Sequence, residues 1–290
     1  MNSQDRARHP VVVGVDGSQY ARGALDWAIA EAADTGRPLR VVHAFVWSLL
    51  GMPDRPTKAA PHGGLRADAQ QLLDAAVAHA RSAAPGIEVT GAFPTATAAG
   101  ALVEASADAA LVVVGARGLG AVGRLLLGST SDQVTAHARC PVVVVGEERG
   151  GTGGVVVGVD GSPSSASILA FAAAEAARLG VALTATMVVP SLIPGDHEVQ
   201  TRDEHDAPLH AAQFAAATET LHTEFPDVPV HLSLLGGHPG RVLTQTAADA
   251  RLLVVGARGQ GGFSALPLGS TGRYALHHAP CPIAVVHEAR

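Results

Sequence analysis

The octapeptide VVVGVDGS occurs twice in this chain, at residues 11–18 and again at 155–162, 144 positions later. Three further blocks return in the same order: ADAALVVVGARGLG (107–120) as ADARLLVVGARGQG (248–261), LGST (127–130) as LGST (268–271), and CPVVVV (140–145) as CPIAVV (281–286). Four matched blocks at nearly one separation mean a duplicated domain of about 140 residues, so the fold must be one that half the chain can complete. The 290 residues divide into domains at 1–146 and 155–290, with the polar, glycine-rich EERGGTGG (147–154) as linker.

Within each half, short apolar runs alternate with amphipathic stretches. In the first half the pattern predicts strands near 10–15, 39–46, 87–93, 111–115 and 141–145, and helices near 19–35, 66–83, 97–109 and 129–138. In the second, strands are predicted near 154–159, 182–189, 228–235, 252–256 and 282–286. Strands that are apolar on both faces and separated by helices indicate a parallel sheet covered on both sides. The residue types agree: 47% are hydrophobic but only 3% aromatic, so small aliphatics build the interior, and 16% charge is too little for a disordered chain. The expected fold class is α/β, two tandem doubly wound domains, each a five-stranded parallel sheet in the order 3-2-1-4-5 with helices on both faces. In such sheets a ligand crevice opens beyond the strand carboxyl ends where the order reverses, here between strands 1 and 4. VDGS and VVGARG end those two strands.

Strand 4 of the first half runs into Gly115-Ala116-Arg117-Gly118, then nine residues, then Gly128-Ser129-Thr130. The second half repeats this as Gly256-Ala257-Arg258-Gly259, nine residues, and Gly269-Ser270-Thr271. Glycines at a strand end allow positive φ and let backbone N–H groups approach an anion. The Gly-Ser-Thr triplet falls where the last helix begins, and there unpaired N–H groups and the positive dipole end favour phosphate. One glycine-rich turn would be weak evidence. Two copies with identical spacing at the expected switch point are strong evidence for a phosphate-bearing ligand in each half.

The pattern G-x2-G-x9-G-(S/T) after the fourth strand, with VGVDGS on the first, resembles the ATP-binding subclass of universal stress proteins. The resemblance covers residues 9–146 and 154–287 as a tandem form. It implies ATP with a divalent ion, Mg or Mn, in each half, and a regulatory role in stress or growth arrest. That role would act through nucleotide-dependent conformation or a regulatory protein partner. By position it places Asp16 and Asp160 beside ribose or phosphates, and Ala44 and Val188 with main-chain groups towards the adenine. Gly115, Gly118, Gly128, Ser129 and Thr130 would hold ribose and phosphates, as would Gly256, Gly259, Gly269, Ser270 and Thr271.

Plainer readings stand beside these. Asp16 and Asp160 each precede a helix and suit turn or capping residues. Ser129 and Ser270 suit helix caps, which here coincide with the phosphate position. Arg117 and Arg258 suit either a phosphate clamp or a solvated loop. The fourteen histidines show no zinc spacing; His43 suits a strand position facing the crevice or a helix. Cys140 and Cys281 occupy matching places, each before a proline, and are expected to be buried thiols. A net charge of −6 without a basic run argues against nucleic acid. No apolar stretch approaches the roughly 18 residues of a membrane span, so the expected location is the cytoplasm.

No GxSxG elbow, P-loop lysine or SxxK occurs. The reading is a nucleotide-binding regulator, with slow ATP hydrolysis or a nucleotide-free dimerising stress protein as alternatives. The closing strands, VVVV at 142–145 and IAVV at 283–286, are uncharged and expected at a sheet edge. They are expected to join the halves as an intrachain pseudo-dimer, strand 5 beside strand 5, with further homo-oligomerisation open to the whole chain.

Overall fold

A computed structural model describes residues 9–45, 64–118, 127–147, 151–189, 214, 221–259 and 267–287. The chain forms two compact units, Met1–Glu147 and Glu148–Arg290.

In the first unit the order is β1 (Val11–Gly14), α1 (Gln19–Thr35), β2 (Leu39–Val42), α2 (Leu65–Ala83), β3 (Val89–Ala92), α3 (Ala98–Ala105), β4 (Leu111–Gly115), α4 (Ser129–His137) and β5 (Val142–Val145). The strands lie in the order β3-β2-β1-β4-β5, every neighbouring pair parallel. This is the expected 3-2-1-4-5 arrangement. The valine runs are the reason: Val11, Val12, Val13, Val112 and Val113 are all fully buried, so both faces of β1 and β4 must be covered. Helix α1 covers one of them through Ala24, Leu25, Ala28, Ile29 and Ala32, a stripe at helical spacing whose alanines allow close approach. It starts at Ser18, whose Oγ accepts the Ala21 N–H at 3.1 Å. It stops at Gly36, left-handed at φ 64, whose N–H bonds back to Ala32 and Ala33.

The second unit repeats the plan with β6 (Val155–Val159), α5 (Ser165–Leu179), β7 (Leu183–Val189), β8 (Val230–Gly236), α6 (Pro239–Thr246), β9 (Leu252–Gly256), α7 (Ser270–His278) and β10 (Ile283–Val286). Its strands read β8-β7-β6-β9-β10, again all parallel. Helix α5 buries Ile168, Leu169, Ala172, Ala173 and Ala176 and ends at left-handed Gly180.

The largest departures from the expected boundaries are two element ends that fall about four residues short. Strand β2 ends at Val42 rather than near 46, although its main chain continues to bond beyond it, with His43 N–H donating to Ala92 O at 3.0 Å and Phe45 N–H to Pro94 O at 2.9 Å. Helix α3 ends at Ala105 rather than near 109. There the Ser106 hydroxyl donates to Val103 O at 2.6 Å and accepts the Arg139 N–H at 2.9 Å, tying the chain to the turn before β5. The interiors of the two nine-residue spacers, 119–126 and 260–266, and linker residues 148–150 lie outside the described residues. Among the described residues no helix is long and apolar enough to cross a membrane.

Candidate functional site

Each unit carries a cleft at the carboxyl ends of its first and fourth strands. In the first unit this cleft measures about 580 Å³, and Asp16, Ala44, Gly115, Gly118, Gly128, Ser129 and Thr130 all line it. In the second it measures about 360 Å³ and is lined by Asp160, Val188, Gly256, Gly259, Gly269, Ser270 and Thr271. All fourteen residues singled out in the sequence therefore converge on two equivalent places.

The local chain explains this convergence. After β1, Gly17 adopts φ 85 and turns the backbone, and Asp16 Oδ1 accepts the Ser18 N–H at 2.9 Å. In the second unit Gly161 has φ 77, and Asp160 Oδ1 accepts the Ser162 N–H at 3.0 Å and the Ser165 hydroxyl at 3.4 Å. Both aspartates thus hold their turns, as the plainer reading expected, while lining the clefts. The caps themselves lie elsewhere: α1 is capped by Ser18, and α5 starts after Ser164 without a side-chain cap.

Of the two roles expected of the motif glycines, positive φ and close approach, only the second is seen. The left-handed glycines among the described residues are Gly17, Gly36, Gly64, Gly161, Gly180 and Gly237, and none belongs to the strand 4 motif. Those glycines serve close approach instead. A Cβ on Gly118 would come within 2.5 Å of Asp16 Oδ2, and one on Gly259 would collide with Asp160 Oδ2. A Cβ on Gly115 would lie 2.7 Å from the main-chain carbon of Tyr20. Each aspartate is packed directly against the glycine loop that faces it.

Helices α4 and α7 begin immediately after Gly128 and Gly269, neither of which supplies a capping side chain. Gly128 N–H bonds to Ala116 O and Gly269 N–H to Ala257 O, both at 2.8 Å, holding the helix starts against the glycine loops. Ser129 and Ser270 are thus the first helical residues rather than the caps. The first-turn N–H groups and the dipole end of each helix open onto a cleft, an arrangement suited to an anion.

Sequence reasoning missed several lining residues. Leu102 of α3 and Leu243 of α6 enter the clefts above Gly14 and Gly158, filling the space a side chain there would take. Ser131 also lines the first cleft, and its hydroxyl donates to Gly115 O at 2.6 Å, joining α4 to β4. Its position one residue past the Gly-Ser-Thr triplet was the available signal. Arg117 folds back on α1, donating to the Tyr20 hydroxyl at 3.2 Å with its guanidinium 5.5 Å from the ring centre, whereas Arg258 is exposed. His43 is pinned to the end of β1, its Nδ1–H donating to Val15 O at 2.7 Å, and its ring stacks on Phe93.

Among the described residues no three His, Cys, Asp or Glu side chains gather as a metal cluster. Both cysteines are buried thiols outside any disulfide, and burial pushes the Cys140 thiol up to about 12.

The sequence model of the universal stress protein family matches this chain twice, at residues 7–146 and 153–287. Universal stress protein Rv2005c of Mycobacterium tuberculosis is 33% identical over 299 aligned residues, covering 99% of this chain and 100% of that one. A universal stress protein of Mycolicibacterium smegmatis is 33% identical over 98% of both chains. The crystal structure of a universal stress protein from Archaeoglobus fulgidus shares the fold, with a TM-score of 0.69 over 96% of each chain at 20% identity. Two matched domains and relatives alike from end to end show that this chain belongs to the universal stress protein family, as a tandem of two such domains.

Proposed function

We propose that each cleft binds ATP and that the protein is a cytoplasmic regulator of stress response or growth arrest whose nucleotide occupancy sets its conformation or its protein partner. One observation carries this reading. Both units build the same anion end from an uncapped helix start, a glycine loop without side chains and an aspartate packed against that loop. The two volumes fall in the ~300–1,000 Å³ range of ordinary ligand clefts. The triphosphate lies at the starts of α4 and α7, and Asp16 and Asp160 face it or the ribose. Ala44 and Val188 offer main-chain groups to the base.

A divalent ion, Mg or Mn, fits this donor set as a companion of the phosphates, since such ions take oxygen ligands and keep part of their water. Asp16 and Asp160 are the carboxylates that would meet it. The linings supply donors for phosphate and a carboxylate, which suits holding ATP better than turning it over; hydrolysis, if any, is slow. The halves are further proposed to pair through β5 and β10, on the strength of those uncharged strands. Cysteines placed at Val143 and Ala284 should crosslink within one chain, and their failure to do so would remove that pairing.

Mass spectrometry of ligand released from freshly purified, denatured protein tests the main reading. ATP at two per chain is the expected result, and ADP would indicate turnover. If nothing co-purifies and MgATP titrated into the stripped protein gives no binding heat, the reading fails.

A further inference from the structure

Thr186 is fully buried in β7 and lines the second cleft, yet its Oγ1 has no hydrogen-bond partner. A hydroxyl taken from water and left unpaired is destabilising, and such groups are rare in native proteins unless a further molecule meets them. Thr186 stands in register with Gly158 of β6, and the space beside Gly158 is filled by Leu243 of α6. Neighbouring register positions share a sheet face, so Thr186 lies on the α6 face with Val188 two residues further on.

The repeat supplies a control. Val42 stands in register with Gly14 and lines the first cleft, and Leu102 fills the space beside Gly14. Valine and threonine have nearly the same shape, so the two positions differ by one hydroxyl. The sheet order β7-β6-β9 puts Thr186 two strand spacings, about 10 Å, from the strand whose loop meets the start of α7. With phosphates at α7, this far wall is where a nucleoside base comes to rest.

We infer that the Thr186 hydroxyl hydrogen-bonds the base of the nucleotide in the second cleft, a contact the first cleft cannot make, so that the two clefts select bases differently. The inference rests on the nucleotide reading above. A hydroxyl donates one hydrogen bond and accepts two, which matches the ring nitrogens and exocyclic amine of a purine edge. A base-free polyphosphate bound at α7 does not reach it.

The test uses the full chain with the first cleft closed by Gly118→Val, so that calorimetry reads the second alone. Into this background Thr186→Val is introduced, and MgATP and inorganic tripolyphosphate are titrated separately. ATP should bind about tenfold more weakly, the loss of roughly one hydrogen bond, while tripolyphosphate affinity stays unchanged. Thr186→Ser, which keeps the hydroxyl, should retain most of the ATP affinity. The ligand-free thermal midpoint of Thr186→Val should hold or rise, because an unpaired polar group has been replaced by a methyl.

Unchanged ATP affinity in Thr186→Val overturns the inference and leaves the wider reading standing. Equal losses for ATP and tripolyphosphate overturn it in favour of a structural role. A fall in the ligand-free midpoint overturns it too, since the hydroxyl would then already be satisfied by water. If the Gly118→Val chain binds no ATP while the Gly259→Val chain does, the second cleft is not a nucleotide site and both readings fail there.

Discussion

The two halves of this protein build the same anion end and different walls. At the anion end the parts correspond one for one: Asp16 with Asp160, Gly118 with Gly259, and the Gly-Ser-Thr starts of α4 and α7. Away from it they diverge. Ala44, Val42 and Ala98 of the first cleft are replaced by Val188, Thr186 and Pro239 in the second, and the volume falls from about 580 to about 360 Å³. The first helix also starts differently, with Ser18 capping α1, while Pro163 and a Ser162–Ser164 hydroxyl contact of 2.8 Å precede α5. The difference has a physical source. At the anion end an added Cβ on Gly118 or Gly259 collides with the aspartate packed against it, so these positions are constrained in both halves. The walls are made of side chains, where many residues can fill the space and change what fits.

The largest expected effect breaks one half and spares the other. Gly118→Val should weaken ATP in the first cleft by about 100-fold, the equivalent of roughly 2.7 kcal/mol, because the added side chain displaces the Asp16 carboxylate and fills the approach. Gly259→Val should do the same in the second. Calorimetric stoichiometry should fall from two to one in each variant, with little change in the ligand-free thermal midpoint, since neither glycine has a left-handed φ. Two ATP per chain retained in Gly118→Val would show that the site is misplaced.

Replacing the aspartates should have a smaller effect. Asp16→Ala and Asp160→Ala should each cost about 1.5 kcal/mol of binding, the low end for a hydrogen bond to a charged group, confined to their own half. Each substitution should also lower stability, because each carboxylate accepts a main-chain N–H at its turn, Asp16 from Ser18 and Asp160 from Ser162. Titration of the single and double variants with MgATP, beside urea unfolding, separates the two roles. Unchanged affinity in the double variant would reduce both residues to turn formers.

A third expectation concerns Cys140. Burial holds its thiol near 12 against an ordinary value of 9.0. The folded state therefore keeps a proton that the unfolded chain releases above pH 9.0, and stability falls as pH rises from there towards 12. By pH 10 about 1.4 kcal/mol should be lost relative to neutral pH. Cys140→Ala should flatten that slope in denaturant titrations at pH 8, 9 and 10. An unaltered slope would mean that the thiol titrates normally.

The parts of this architecture visible in the sequence were those written in the backbone. Valine runs mark the buried strands, and the repeated VDGS, GARG and LGST blocks mark the strand ends and helix starts that meet at the switch point, whereas Ala44 and Val188 lie in none of these blocks and came only from the family resemblance. What escaped depended on register and on packing at a distance. Nothing in the α3 or α6 sequence announces that Leu102 and Leu243 lean over Gly14 and Gly158. Thr186 reads as an ordinary strand threonine until its partner Gly158 and its unpaired Oγ1 are known. Of the two roles expected of the motif glycines, positive φ belongs instead to Gly17 and Gly161, while close approach holds: Gly118 and Gly259 lack a Cβ where Asp16 and Asp160 pack.

The smallest expected effect tests whether the arginines of the two glycine loops are equivalent. Arg117 is held by the Tyr20 hydroxyl and lies over its ring, whereas the matching residue to Tyr20 is Ser164, too short to hold Arg258. A cation over an aromatic ring at a partly exposed site is worth about 0.5–1 kcal/mol. A double-mutant cycle of Arg117→Ala with Tyr20→Leu should therefore return a coupling of about that size in ligand-free unfolding, and the cycle of Arg258→Ala with Ser164→Ala should return about zero. In ATP titrations the order should reverse. Arg258 has no tyrosine to leave, so Arg258→Ala should weaken binding in the second cleft by a larger factor than Arg117→Ala does in the first. Equal coupling in both cycles, or equal losses of ATP affinity, would make the arginines interchangeable and confine the asymmetry of the halves to the base end of the cleft.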